Sequence, residues 1–381
     1  MTGPKLGLIV NPVAGIGGRV GLKGSDGVEV QRRARALGAV PQSLDRAVQA
    51  LERLRGVGMD ALEIVTCPRE MGEDAARACG FAPTVLCADA IRPGATTAAD
   101  TIRAAREMQR LRVDLLLFAG GDGTARDIYT AVGSDVPALG IPAGVKIHSA
   151  VYAAHPAGAG ELAALALQEK TTWREAEVMD VDEAALRQGV VSTRLYGVLR
   201  VPFRRGLLQG LKTPSGPGDA AAMDAVAAAV VRRMDAHPDA LYVVGPGSTT
   251  RAIAARLGLG AEKTLIGVDV IAGGRIVAAD VNEDQLLALL APPTVEAYIV
   301  VTPIGGQGFL FGRGNQPISP RVIACVGRER IIVVSTPGKI HALGGRPLRV
   351  DTSDRAVDEM LSGYVRVTTG YGEQIVYRVA A

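Results

Sequence analysis

The chain has 381 residues, 48% of them apolar, and its 42 lysines and arginines against 39 acids leave a net charge of +3. That length exceeds what one hydrophobic core usually holds, so two domains are expected. The charge is too small and too dispersed, and aromatics at 4% too few, for a nucleic-acid surface. No apolar run reaches the ~20 residues that span a membrane. The N-terminus passes from Met1-Thr2-Gly3-Pro4-Lys5 straight into a strand pattern, without signal-peptide organisation, so the expected location is the cytoplasm.

Taken in chain order, apolar runs predict strands at Leu6–Val10, Ala61–Val65, Thr84–Cys87, Val113–Phe118 and Ala138–Ile141. Helical patterns alternate with them. One carries Leu44, Val48, Leu51 and Leu54 behind Ser43, read as its N-cap; another runs from Thr96 or Thr97 to about Gln109. Alternation of this kind implies a parallel sheet covered on both faces, a Rossmann-like α/β domain over residues 1–171. Beyond Trp173 the pattern is strand-rich: Ala176–Val181, Thr193–Val201, Leu241–Val244, Val295–Thr302, Arg321–Cys325, Ile331–Val334, Val365–Thr369 and Ile375–Val379. Helices are expected at Gly218–Arg233, Thr249–Leu257 and Asn282–Leu290, and Gly206–Asp219 reads as a mobile loop. Residues 172–381 are therefore expected to form a β-rich second domain with helical insertions.

Cys67, Cys79, Cys87 and Cys325 form no CxxC pair and read as reduced, mostly buried thiols. His148, His155, His237 and His341 show no zinc spacing. Gly15-Ile16-Gly17-Gly18-Arg19-Val20 fails the third glycine of the dinucleotide fingerprint, and no GxxxxGK[ST] occurs, so neither a plain dehydrogenase nor a P-loop ATPase fits.

The chemistry concentrates in Gly120-Gly121-Asp122-Gly123-Thr124, which follows the Val113–Phe118 run and opens the segment 125–129. A buried strand ending in a glycine turn and feeding a helix is where a parallel α/β sheet holds phosphates. Glycines give access to positive φ and let backbone N–H groups approach an anion, and the helix N-terminus adds partial positive charge. A carboxylate only repels phosphate. Asp122 makes sense if it takes up or orients the proton of an attacking hydroxyl, or helps organise a metal bridging phosphate oxygens. Asn11, at the end of the first strand, has an amide that donates to a phosphate, or else starts an Asn-Pro turn.

This pentapeptide resembles the glycine-aspartate-glycine signature shared by NAD kinases, diacylglycerol kinases and sphingosine kinases. Ile9-Val10-Asn11-Pro12 is similar to the first strand and asparagine of that superfamily, and Gly140–Lys146 sits where its relatives carry a second glycine loop. Gly245-Pro246-Gly247-Ser248-Thr249-Thr250 resembles the Gly-Ser-Thr turn of the NAD kinase second domain. Together with Ala14–Gly24 and Thr302–Gly308, the pattern resembles most the ATP-NAD-kinase-like group that includes the acetoin-catabolism X proteins. Where the related lipid kinases place Gly-Thr-x-Asn-Asp, this chain has Lys146, Ile147, His148 and Ser149 after Gly144 and Val145.

The resemblance implies an α/β first domain, an NAD-kinase-like second domain, and a kinase with Asp122 at the chemistry. Asn11, Gly120, Gly121, Gly123, Thr124, Gly144 and Lys146 would then hold the donor phosphates. Asp127, Gly247, Ser248, Thr249, Thr250 and Arg313 would contact the acceptor. The donor would be ATP or polyphosphate, with Mg²⁺ carried in by ATP, and the acceptor NAD at its 2′-OH. One alternative is a kinase of the same fold acting on another small alcohol or a lipid-like acceptor; another is a non-catalytic nucleotide-binding regulator. No membrane or nucleic-acid partner is expected, and a homo-oligomer follows from the resemblance alone. Read from the residues, Ser248–Thr250 also suits a plain helix cap, Asp127 a helix residue, and His148 a hydrogen-bonded structural histidine. Arg92, Thr96 and Thr97 form a further candidate anion site before a helix.

Overall fold

A computed structural model describes residues 3–22, 27–59, 61–145, 147–181, 192–209, 219–264 and 266–381. Lys23, Gly24, Lys146 and residues 210–218, and with them most of the expected 206–219 loop, lie outside the described residues. Contacts divide the chain into two units, Met1–Ile16 with Gly24–Leu211, and Gly17–Lys23 with Lys212–Ala381.

In the first unit, β1 (Lys5–Val10), β2 (Glu63–Thr66), β3 (Thr84–Val85), β4 (Leu115–Gly120) and β5 (Ala138–Pro142) form a sheet of order β3-β2-β1-β4-β5. Every pair in it is parallel. Parallel neighbours need crossovers, supplied here by α1 (Val28–Ala36), α2 (Ser43–Arg55), α3 (Glu73–Ala78), α4 (Ala98–Arg110) and α5 (Asp122–Val132), with α6 (Pro156–Leu167) following β5. Helices on both faces explain why all six residues of β4 are buried, and all of β1 after Lys5. α2 turns Ala47, Ala50, Leu51 and Leu54 inward at helical spacing. The chain fills one side of β1 with β2 and β3, then returns to place β4 on the other. That reversal leaves a crevice at the carboxyl ends of β1 and β4, the place where open α/β sheets bind ligands. An antiparallel ribbon of β6 (Thr172–Val181) and β7 (Thr193–Phe203) belongs to the same unit.

The second unit holds β8 (Leu241–Val244), β9 (Asp269–Ala272), β10 (Arg275–Ala278), β11 (Ala297–Val301), β12 (Phe309–Phe311), β13 (Ile331–Val334), β14 (Leu348–Val350), β15 (Gly363–Gly370) and β16 (Glu373–Ala380). They form one mixed sheet of order β10-β9-β8-β11-β13-β15-β16-β14-β12. Its middle, from β8 through β11 and β13 to β15, is parallel. The helices are α7 (Ala220–Ala236), α8 (Ser248–Arg256), α9 (Glu283–Leu290), α10 (Pro320–Val326), α11 (Pro337–His341) and α12 (Arg355–Leu361). The two-part α/β architecture with a strand-rich second sheet is thus as the sequence implies.

Two local readings are corrected. Arg321–Cys325 is not a strand but lies in α10, where Ser319 accepts from the Val322 N–H and Pro320 opens the first turn. An apolar run of that length fits either element, and the Ser-Pro start signal decides it. Ser43 is not the N-cap of α2: Gln42 holds that position, and the Ser43 hydroxyl donates to the Ala14 carbonyl at 2.9 Å. Thr97 caps α4 as the sequence implies, and Asp100 accepts from both its N–H and its hydroxyl at 2.9 Å.

Candidate active site

The glycine turn is tighter than the sequence implies. β4 runs to Gly120, Gly121 is the N-cap, and Asp122 already belongs to α5. Gly121 is extended, with φ of −122°, so positive φ is not why glycine is needed here. Close approach is. A Cβ on Gly120 would meet the Thr124 side chain at 2.4 Å, and one on Gly144 would meet the Gly121 Cα at 2.7 Å. The first and second glycine loops therefore lie against each other, tied by the Ala143 and Gly144 N–H groups donating to the Gly120 carbonyl at 2.9 and 3.0 Å. Tyr152 donates its hydroxyl to the Gly121 carbonyl and fixes the turn from the other side. The first N–H groups of α5 have no helical acceptor and carry the positive end of its dipole.

Asn11 follows β1 and meets this turn across the sheet. Its amide donates to Thr124 Oγ1 at 2.9 Å, while its Oδ1 accepts from the Val13 N–H at 3.2 Å, so it both starts the turn after β1 and meets the glycine turn. Asn11, Gly120, Gly121, Asp122, Gly123, Thr124 and Gly144 thus converge on the crevice between β1 and β4.

Asp122 is only 6% exposed, and its carboxyl oxygens have partners. Oδ2 accepts from the His148 N–H at 2.7 Å and Oδ1 from the Ser149 N–H at 3.0 Å. His148 Nδ1 lies 3.0 Å from Oδ2. The carboxylate thereby folds the Ile147-His148-Ser149 loop over the helix N-terminus. Ser149 is locked in turn, donating to the Met179 carbonyl at 2.8 Å and accepting from the Met179 N–H at 2.9 Å. Asp127, one turn further along α5, is half-buried with Arg126 Nε at 3.9 Å. Arg126 reaches Asp180 at 2.7 Å; burial draws its guanidinium pKa down, while Asp180 and Asp127 outweigh that and raise it.

In the second unit the Gly247–Thr250 turn sits where β8 enters α8. Gly247 has φ of +137°, and a Cβ there would meet Thr302 Cγ2 at 2.6 Å, so this position does require glycine. Ser248 is exposed, Thr249 and Thr250 are buried, and Thr250 donates to the Gly247 carbonyl at 3.0 Å. Lys339, which no local pattern points to, donates to Thr249 Oγ1 at 3.0 Å and Thr302 Oγ1 at 3.3 Å from a buried position on α11. Arg313 is buried, 2.8 Å from Asp351 and 4.9 Å over the Phe309 ring.

Two domain models of one family match the chain: the ATP-NAD kinase N-terminal domain over residues 6–171 and the ATP-NAD kinase C-terminal domain over residues 238–379. No curated protein matches it. Two solved structures of a "putative diacylglycerol kinase" from Bacillus anthracis str. Sterne align at 17% identity and TM-score 0.25. They cover 48% of this chain and 44% and 47% of theirs, so it spans less than half of their length. The S. aureus MnaA-UDP co-structure aligns at 12% identity and TM-score 0.26, over 97% of this chain and 93% of that one. Matched in order by both domain models over most of its length, the chain belongs to the ATP-NAD kinase family.

Proposed function

We propose that the protein is a phosphotransferase that moves the terminal phosphoryl group of ATP, supplied as its Mg²⁺ complex, to the 2′-hydroxyl on the adenosine ribose of NAD, giving NADP. The match of both ATP-NAD kinase domain models carries this reading. Phosphoryl transfer needs positioned donors for the phosphates and control of the acceptor proton, and covalent work by the protein is minor. The N–H groups opening α5, with Asn11, Thr124 and the Gly120, Gly121 and Gly123 backbones, supply the donors, and Gly144, whose N–H is held by the Gly120 carbonyl, lets the second loop approach them. Lys146 would add a cation but lies outside the described residues. Asp122 governs the acceptor proton. The Gly247–Thr250 turn is offered to an anionic portion of the acceptor.

The metal belongs to the donor in this reading, since both Asp122 oxygens already accept hydrogen bonds from His148 and Ser149. When bound there it neutralises charge on the phosphates. The Ile147-His148-Ser149 loop, which replaces the Asn-Asp of the lipid kinases, favours as a second reading the same transfer to a different alcohol. Mass spectrometry of the products from Mg-ATP with NAD, and in parallel with a pool of small alcohols, separates the two. NADP supports the first reading, another phosphorylated alcohol the second, and no product despite nucleotide binding leaves a regulator.

A further inference from the structure

The loop that meets Asp122 is joined to β6 by a side chain where a backbone would be expected. The Ala150 N–H donates to the Glu177 carbonyl at 2.9 Å, as in the start of a ladder. One residue earlier the ladder is replaced. Ser149 Oγ donates to the Met179 carbonyl at 2.8 Å and accepts from the Met179 N–H at 2.9 Å. A hydroxyl can do both at once, whereas a backbone N–H only donates. The N–H of Ser149 is thereby left for Asp122 Oδ1, at 3.0 Å, and the residue is fully buried. The ribbon end of this clamp is itself tied to α5. Arg126 reaches Asp180, the residue after Met179, at 2.7 Å, and its guanidinium lies 5.6 Å from the centre of the Tyr196 ring. Between the pairs Val178–Gly197 and Met179–Leu195 the ladder skips Tyr196, a bulge that bends β7 at this point. A Cβ on Gly197 would meet the Tyr129 ring at 2.1 Å, so the bulge lies directly against α5. The contacts close a ring. α5 carries Asp122 and holds the ribbon, and the ribbon, through Ser149, holds the loop whose N–H groups meet the Asp122 oxygens.

We infer that Ser149 is a positioning residue for phosphoryl transfer: its hydroxyl clamps the loop to the Met179 backbone and so fixes where the Asp122 carboxyl points. The inference rests on the phosphotransferase reading above and adds a residue to its machinery. Asp122 keeps its role toward the acceptor proton, and Ser149 acts through it. A carboxyl aimed by two N–H groups stays aimed only while those groups stay in place. A displacement of about 1 Å at a reacting group costs on the order of 100-fold in rate. The ribbon thus serves the chemistry from outside the crevice, by holding one backbone N–H on one oxygen.

Ser149→Ala tests this directly, because it removes the hydroxyl and keeps the backbone N–H that meets Asp122. In steady-state assays with Mg-ATP and NAD, or with the alcohol the wild type phosphorylates, kcat should fall more than about fivefold. KM for ATP should stay within about threefold of wild type. Added to Asp122→Ala, the same change should alter the residual kcat by less than about twofold, because the group that it positions is gone. A serine that only stabilised the fold would lower kcat by the same factor on both backgrounds, and that result would overturn the assignment. So would a folded Ser149→Ala that loses less than about fivefold in kcat. Thermal unfolding shows whether each variant is folded. Should Ser149→Ala not fold, Ser149→Cys, which puts a weaker donor and acceptor in the place of the hydroxyl, is held to the same limits. A wild type that phosphorylates no acceptor would instead remove the phosphotransferase reading itself, and is visible before any variant is made.

Discussion

The two units solve one backbone problem and furnish it with opposite charges. In the first, β4 enters α5 through Gly120 and Gly121; in the second, β8 enters α8 through Gly245–Gly247. Both turns lie at the carboxyl end of a parallel strand and present helix N–H groups. Around the first stand a carboxylate and an imidazole, 3.0 Å apart. Around the second stand an ammonium and two threonine hydroxyls, at 3.0 and 3.3 Å. On the proposed reading the shared geometry receives an anion at each turn, and the side chains distinguish the two. In that reading the turn with the carboxylate controls a proton, while the ammonium among hydroxyls holds charge.

The largest effect that would sharpen this contrast is expected at Asp122. Asp122→Asn should lower kcat about 100-fold or more, with KM for ATP little changed. It should also cost about 1–3 kcal/mol of stability, because two buried N–H groups lose their anionic acceptor. Thermal unfolding and steady-state kinetics on the same preparation check both. If kcat holds while stability falls, the first turn is a structural anchor and the contrast breaks.

Next come the glycines. Gly144→Ala places a Cβ 2.7 Å from backbone, so it should cost about 1–3 kcal/mol and lower activity. Gly247→Ala combines a 2.6 Å clash with φ of +137° and should cost a similar ~1–3 kcal/mol, with its kinetic effect in the acceptor KM rather than kcat. An equal loss of kcat in both variants would erase the proposed division of labour. Lys339→Met removes the donor shared by Thr249 and Thr302; a loss of about 1 kcal/mol and a raised acceptor KM are expected.

The smallest effect is a thiol rate that reports the first unit by itself. Burial pushes the Cys67 thiol up to about 12, so at pH 8 only ~1 in 10,000 molecules carries the reactive thiolate there, while Cys325 is exposed. With a thiol reagent at pH 8, Cys325 should label readily and Cys67 only as the first unit opens. Raising the pH toward 12 should speed Cys67 labelling in the folded protein. Lys339→Met should leave the Cys67 rate unchanged and Gly144→Ala should increase it; acceleration by both would mean that the units do not respond separately.

What the sequence makes legible here is whatever is local. The strand into Gly120–Thr124, the α4 start at Thr97 and the Ser248–Thr250 turn are each readable from a few adjacent residues. The partners are not. His148 meets Asp122 across 26 residues, and Lys339 meets Thr249 across 90, with no spacing rule linking either pair. For Gly120 and Gly121 the sequence points to positive φ and to approach by an anion, whereas the close contacts in the fold are between the two loops themselves, and Gly121 is extended. In α10 the apolar residues fit both periods, and only Ser319-Pro320 discriminates. For Lys146, whose role the resemblance implies, sequence remains the sole guide.

Product analysis of the purified protein with Mg-ATP and NAD, run beside Asp122→Asn, tests the central claim most directly. The account predicts NADP from the wild type and a loss of about 100-fold or more in the variant. No phosphorylated product from NAD or from any offered alcohol, with nucleotide still bound, would contradict it.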